Sequence, residues 1–232
     1  MRTMSKTIKV DMTKVLPTIY DEKKPQKRYV LRLELDDSPI KIYRDIECPS
    51  NIRLSYLADL LVRTMGWLGY HQYEFTKDDI DYVSTSSKEY YDDEGLNREY
   101  YDFNDFTLGD LLKKKGDKIT YTYDLGDDFQ HTLTLREIHR YTRRNGRPIE
   151  PDYYITGGKN SCPPDDVGGI GGYEHMLQVL DDPKDEEFSS FVDWLPDGFD
   201  PYEFHIQEAR KRIWDFLRTI ETIRLRLNEY QS

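Results

Sequence analysis

The sequence predicts an α+β fold: an antiparallel or mixed sheet built from hairpins, helices packed on one face, and a long C-terminal helix. Three observations predict it. Residues 119–135, ITYTYDLGDDFQHTLTL, alternate apolar and polar side chains on both sides of a Gly-Asp-Asp break. Tyr29, Leu31, Leu33 and Leu35 alternate in the same way before Asp36-Asp37-Ser38-Pro39, and Ile40, Ile42 and Ile46 continue beyond it. Elsewhere apolar residues step by three and four, from Leu54 to Met65 and from Ile206 to Leu227. Period two marks half-buried strands and the longer period marks helices. A hairpin with a helix packed across it is the α+β arrangement.

In the central hairpin, burial selects the register. A two-residue loop would send the two apolar sets to opposite faces. A three-residue loop, Gly126–Asp128, pairs Leu125 with Phe129, Tyr123 with His131, Tyr121 with Leu133 and Ile119 with Leu135. Only the second choice gives one apolar face. It sets His131 against Tyr123 on the buried side, with Asp127 and Asp128 at the tip.

The other elements follow in order. Residues 1–26 carry no sustained period and read as an N-terminal extension of a domain spanning 27–204. Ser50 or Asn51 is placed to cap the helix that carries Leu54, Leu57, Ala58, Leu61 and Met65, and Gly66 ends it. The aromatic stretch WLGYHQYEF returns the chain to the sheet. Residues 78–106, crowded with Asp, Glu and Tyr, read as an acidic excursion that is at most partly ordered. Thr107–Leu112 forms a short helix that feeds the central hairpin. After that hairpin come five arginines and one acid between Arg136 and Arg147. They read as a solvated strand end and turn, with Arg140, Arg143 and Arg144 as the anion-binding alternative. Residues 157–172 hold six glycines, two prolines and Cys162, an irregular loop that leads Asp165 and Asp166 towards a helix with Tyr173, Met176, Leu177 and Leu180 on one side. A second short helix, DEEFSSFVDWL, precedes FDPYEF. Residues 205–232 then form an amphipathic helix docked on the domain through Ile213, Leu217 and Ile220, with Trp214, Phe216 and Leu225 widening its apolar face. A dimer seam on that helix is the lesser alternative.

Composition bounds the function. The chain has 232 residues, 33% of them charged, and a formal net charge of −11; its mean hydropathy is −0.81. That length supports a full hydrophobic core, and 19 tyrosines add volume to it. The negative charge opposes bulk nucleic-acid binding and attraction to anionic membranes. With only Cys48 and Cys162, the chain has neither a disulfide framework nor a cysteine zinc site. A reduced, cytoplasmic protein without a membrane span is expected.

The residues that could converge are Asp124, Asp127, Asp128, His131, Cys162, Asp165 and Asp166, joined by Gly168, Gly169 and Tyr173. His71 and His175 are outliers. Asp127, His131, Asp165 and Asp166 offer oxygen and nitrogen ligands that suit a divalent metal. No HExxH or HxH spacing accompanies them, so the plainer reading is favoured: turn and cap hydrogen bonds for the aspartates, a core position for His131. Two prolines after Cys162 deny it the helix N-terminus that activates many catalytic thiols. Two function classes remain. One is a non-enzymatic binding or accessory module with a protein or small-ligand partner. The other is a metal-dependent hydrolase or nucleotide-handling enzyme.

Several segments carry a resemblance. YTYDLGDDFQHTLTL, CPPDDVGGIGGYEHML, MGWLGYHQYEF and FDPYEF are similar, in order and spacing, to motifs of the plasmid pRiA4b ORF-3-like family. Departures are Leu125 for a usual Phe, Phe129 for a usual Trp, Asp165 for a usual Glu, and Tyr43 for a common Trp. The resemblance implies an α+β domain found in prokaryotes, on plasmids and other mobile elements. It implies no established activity.

Overall fold

The computed structural model describes residues 18–24, 26–84, 99–140, 143–144, 147–148 and 153–229. Most of the predicted N-terminal extension lies outside these. The first hairpin joins β1 (Lys27–Leu35) to β2 (Tyr43–Pro49), antiparallel, with Leu31 opposite Ile46. Helix α1 (Leu54–Met65) follows, then β3 (Tyr73–Lys77), β4 (Ile80–Val83), β5 (Glu99–Asp102) and the short α2 (Leu108–Leu111). The central hairpin is β6 (Lys118–Tyr123) and β7 (Phe129–Arg140). Two-residue strands β8 (Arg143–Arg144) and β9 (Arg147–Pro148) pair with each other, and β10 (Tyr154–Lys159) leads to α3 (Gly169–Asp181), α4 (Phe188–Trp194) and α5 (Ile206–Glu229).

Eight strands form one mixed sheet in the order β10-β2-β1-β7-β6-β3-β4-β5. Only β4 and β5 are parallel within it. The alternation read in the sequence puts Leu31, Leu33, Leu133, Leu135, Tyr121 and Phe75 on one face, all fully buried. Against them lies α1, with nine of its twelve residues buried. A one-sided helix would bury fewer. The reason is a second cover, since α5 packs over α1 and β10.

The central hairpin has one apolar face, but its register is not the expected one. Tyr123 pairs with Phe129, Tyr121 with His131 and Ile119 with Leu133, leaving the five residues Asp124–Asp128 as the loop. The difference is a shift of two, which preserves parity and so leaves the same side chains buried. Burial could therefore not separate the two loops. Local chemistry does. Asp124 sits at φ +58°, its Oδ1 accepts from the amides of Gly126 and Asp127 at 2.9 and 3.3 Å, and its carbonyl accepts from Asp128 N at 2.7 Å. Aspartate tolerates the left-handed region and bonds its own backbone there. His131 is fully buried as expected, but opposite Tyr121 rather than Tyr123.

Other expectations change locally. Neither Ser50 nor Asn51 caps α1. The N-cap is Arg53, without a side-chain cap bond, and Leu54 N instead donates to the carbonyl of Phe106 at 3.1 Å. Ser50 accepts from Lys27 N at 3.0 Å. Gly66, at φ +123°, does end the helix. The acidic excursion supplies β4 and β5, the edge of the sheet; its middle, residues 85–98, lies outside the described residues. Asp81 is fully buried there, accepting from Thr76 Oγ1 at 2.8 Å. On α5, Ala209 and Ile213 are buried and Phe216, Leu217 and Ile220 half-buried against the core. Trp214 and Leu225 do not widen that face, since both are exposed. Among the described residues the apolar stripe engages the core as far as Ile220, and Ile223 beyond it is 41% exposed.

Candidate functional site

The tip of the central hairpin and the glycine-proline loop meet. Gly168 N donates to Asp127 Oδ2 at 3.1 Å, and the Tyr123 hydroxyl donates to Asp165 Oδ1 at 3.0 Å. Gly169 shows how close the backbones come. It has φ +68°, and a Cβ there would lie 2.5 Å from the Asp127 carbonyl oxygen. No other residue type fits both demands. Trp67, just after α1, completes the joint. Its indole stacks on Tyr123 and Phe129 with ring centroids 4.5 and 5.3 Å away, and its Nε1 donates to the Pro163 carbonyl at 2.8 Å.

Five aspartates, Asp124, Asp127, Asp128, Asp165 and Asp166, thus crowd one surface, and adjacent unpaired carboxylates would repel by roughly 3 kcal/mol at 5 Å. The chain supplies offsets for Asp124, Asp127 and Asp165. Asp124 takes two amides of its own loop, Asp127 the amide of Gly168, and Asp165 the Tyr123 hydroxyl together with Leu68 N at 3.5 Å. Asp128 is exposed and accepts from Gln130 Nε2. Arg136 is exposed on β7. Arg140 is exposed on the same strand, and the side chains of Arg143, Arg144 and Arg147 lie outside the described residues.

His71 is the residue that sequence reading left aside. Its Nδ1 lies 3.3 Å from Asp124 Oδ2 and its Nε2 lies 3.4 Å from Asp166 Oδ1. Ligand atoms of His71, Asp124 and Asp166 all fall within 4.8 Å of one another. Of the expected metal ligands Asp127, His131, Asp165 and Asp166, only Asp166 belongs to this group. The signal for His71 was present, since it lies inside the MGWLGYHQYEF segment. His175 is elsewhere, 2.9 Å from Glu187 on the surface.

The two reactive groups are withdrawn into the core. His131 Nδ1 donates to the Tyr121 carbonyl at 3.1 Å, and burial lowers its pKa to about 4, so it is neutral. Cys48 and Cys162 are free and buried. Burial raises the Cys162 thiol to about 11, against the pull of Arg44 and Arg212. Tyr173 is also fully buried, and burial raises its pKa.

The sequence profile of the plasmid pRiA4b ORF-3-like protein family matches residues 27–208. The chain belongs to that family. It is 29% identical over 165 residues to the uncharacterized protein y4hQ of Sinorhizobium fredii (strain NBRC 101917 / NGR234), covering 71% of this chain and 78% of that one. Its fold is similar to the crystal structure of a protein of unknown function, MM3350, from Methanosarcina mazei Go1. The TM-score is 0.66 and the identity 29%, with 80% of this chain and 98% of that chain covered. Among the described residues, no helix is long and apolar enough to cross a membrane.

Proposed function

We propose that this member of the family is a non-enzymatic binding module. Its recognition surface is formed by the β6–β7 tip, the loop at 163–168 and the segment Trp67–His71. One observation carries the reading. The carboxylates of Asp124, Asp127 and Asp165 are engaged by the chain's own amides and by Tyr123, while Cys162 and His131 are buried in their unreactive forms. Such a surface is held rigid in advance, which lowers the cost of binding.

What remains open to solvent indicates the partner. Leu68 and Tyr70 are 64% and 79% exposed, and exposed Asp128 and Asp166 lie on the same surface. An apolar and aromatic anchor flanked by acids suits a basic segment of a partner protein. The plasmid in the family's name supports an accessory role tied to mobile elements, in the cytoplasm. Selection of a displayed random-peptide library on the purified chain is expected to return basic peptides that no longer bind Tyr70→Ser or Asp166→Asn. Peptides without basic residues, or binding unchanged in both variants, would count against this reading.

The group of His71, Asp124 and Asp166 supports a second reading, a metal-dependent hydrolase or nucleotide-handling enzyme. One nitrogen and two carboxylate oxygens suit zinc or manganese. Calorimetric titration with magnesium, manganese and zinc separates the readings. Heat that disappears in Asp124→Asn, together with metal-dependent turnover of nucleotides or phosphate esters, would favour the enzyme.

A further inference from the structure

Arg44 occupies a place on β2 where a charge is not expected. Ile42, Arg44 and Ile46 share one face by the period of two, and both isoleucines are fully buried. Arg44 is buried with them, at 1% exposure. Its Nε donates to the Thr64 carbonyl, Nη1 to those of Tyr43 and Lys159, and Nη2 to that of Met65 at a long 3.4 Å. These are neutral acceptors. No carboxylate among the described residues forms an ion pair with it. A buried cation without a counter-charge is costly, and proteins seldom keep one without a partner.

A second arginine comes to the same place from α5. Arg212 Nε donates to the Arg63 carbonyl at 3.2 Å, and it too forms no ion pair with a described carboxylate. A methyl group on Gly66 would lie 3.3 Å from Cys162 Sγ and 3.7 Å from Arg212 Nη2, so the thiol and the guanidinium flank one point. Burial, with Arg212 adding to it, lowers Arg44 to about 10, which leaves it cationic at neutral pH. The fully buried Tyr173 hydroxyl has no hydrogen-bond partner among the described residues, and Cys162 and Arg44 are among its electrostatic neighbours.

Between β2, α1, α5 and the segment 196–205 lies a cavity of about 270 Å³ that both arginines line, with Ser161, Cys162, Phe204 and His205. The Phe204 ring lies 3.9 Å from the Arg44 guanidinium carbon, which fixes the plane of the fork. Asp197, Asp200 and Glu208 also line the cavity without pairing with either arginine. Asp200 Oδ1 instead accepts from Tyr202 N. We propose that this cavity is an oxyanion site, taking the phosphate or carboxylate group of a small molecule between Arg44 and Arg212. Arg212, whose Nη groups make no hydrogen bond among the described residues, can give either kind of oxyanion paired hydrogen bonds. Arg44 adds its charge and the one Nη2 hydrogen its carbonyls leave over. The volume exceeds that of a bare phosphate, which leaves room for a short organic body beside Phe204. The site is separate from the acidic surface at the hairpin tip and stands independently of the function proposed for it.

The test is calorimetric titration of the full chain with inorganic phosphate and with succinate, at constant ionic strength in chloride. The net charge of −11 repels anions in general, so binding requires a built site. Saturable binding of at least one probe is expected, weakened about tenfold or more in Arg212→Gln. Glu208→Gln, which removes a competing acid from an exposed position, should tighten the same probe. Preference for phosphate or for succinate then identifies the class of oxyanion. No heat with either probe, or equal affinity in wild type and both variants, would overturn the proposal. Thermal melts of the apo variants close to that of wild type exclude misfolding as the cause of any loss.

Discussion

The Tyr123 hydroxyl donates to Asp165 Oδ1 at 3.0 Å, joining two segments 42 residues apart. This bond ties the end of β6 to the loop that precedes α3, and Trp67 packs against the same tyrosine. Tyr123→Phe keeps the ring and its stacking but removes the donor. Hydrogen bonds to a charged acceptor contribute about 1.5–3 kcal/mol, so denaturant unfolding should show a loss of about 2 kcal/mol. Asp165→Asn retains an acceptor and should cost less.

Gly169→Ala tests the close approach of the loop to the hairpin tip. The left-handed backbone and the Asp127 carbonyl both oppose a side chain there. A loss of about 2 kcal/mol or more is expected in the same assay. Gly171→Ala is the control, since a Cβ at Gly171 would meet nothing within 4 Å.

On α5 the docked and free faces should separate cleanly. Ile213 is 3% exposed and Trp214 is 56% exposed. Ile213→Asp buries an unpaired charge and should cost about 3 kcal/mol, whereas Trp214→Ser should stay within about 0.5 kcal/mol of wild type. Thermal melts of the two variants compare them directly.

His131 makes stability depend on pH. Burial lowers it to about 4 from 6.5, so the folded chain refuses a proton that the unfolded chain accepts. Its contribution is complete above about pH 6.5 and is lost as pH falls towards 4, at about 1.4 kcal/mol per pH unit. His131→Leu removes that slope. Between about pH 7 and about pH 5, wild type should therefore lose about 2 kcal/mol more than the variant.

Sheet, helices and the meeting of the two loops were legible because period and turn chemistry are local. The register of the central hairpin was not, because three- and five-residue loops bury the same residues and differ only in how Asp124 bonds its backbone. The edge strands β4 and β5 were hidden by composition. Asp81 reads as a loop residue until Thr76 is seen to donate to it. Among the candidate site residues, Asp127 beside Gly126 and Asp165 after Pro164 stood out as charge in an irregular backbone. His71 was signalled only by its place in the MGWLGYHQYEF segment, because its neighbours Asp124 and Asp166 come from the hairpin tip and the distant loop.

Mapping a basic peptide on the chain by amide NMR tests the central claim most directly. Titration with a library-selected peptide should shift Leu68, Tyr70, Gly126, Asp128 and Asp166 together, and the shifts should vanish in Tyr70→Ser. Shifts confined to other faces of the sheet or to α5, with these five residues unmoved, would contradict it.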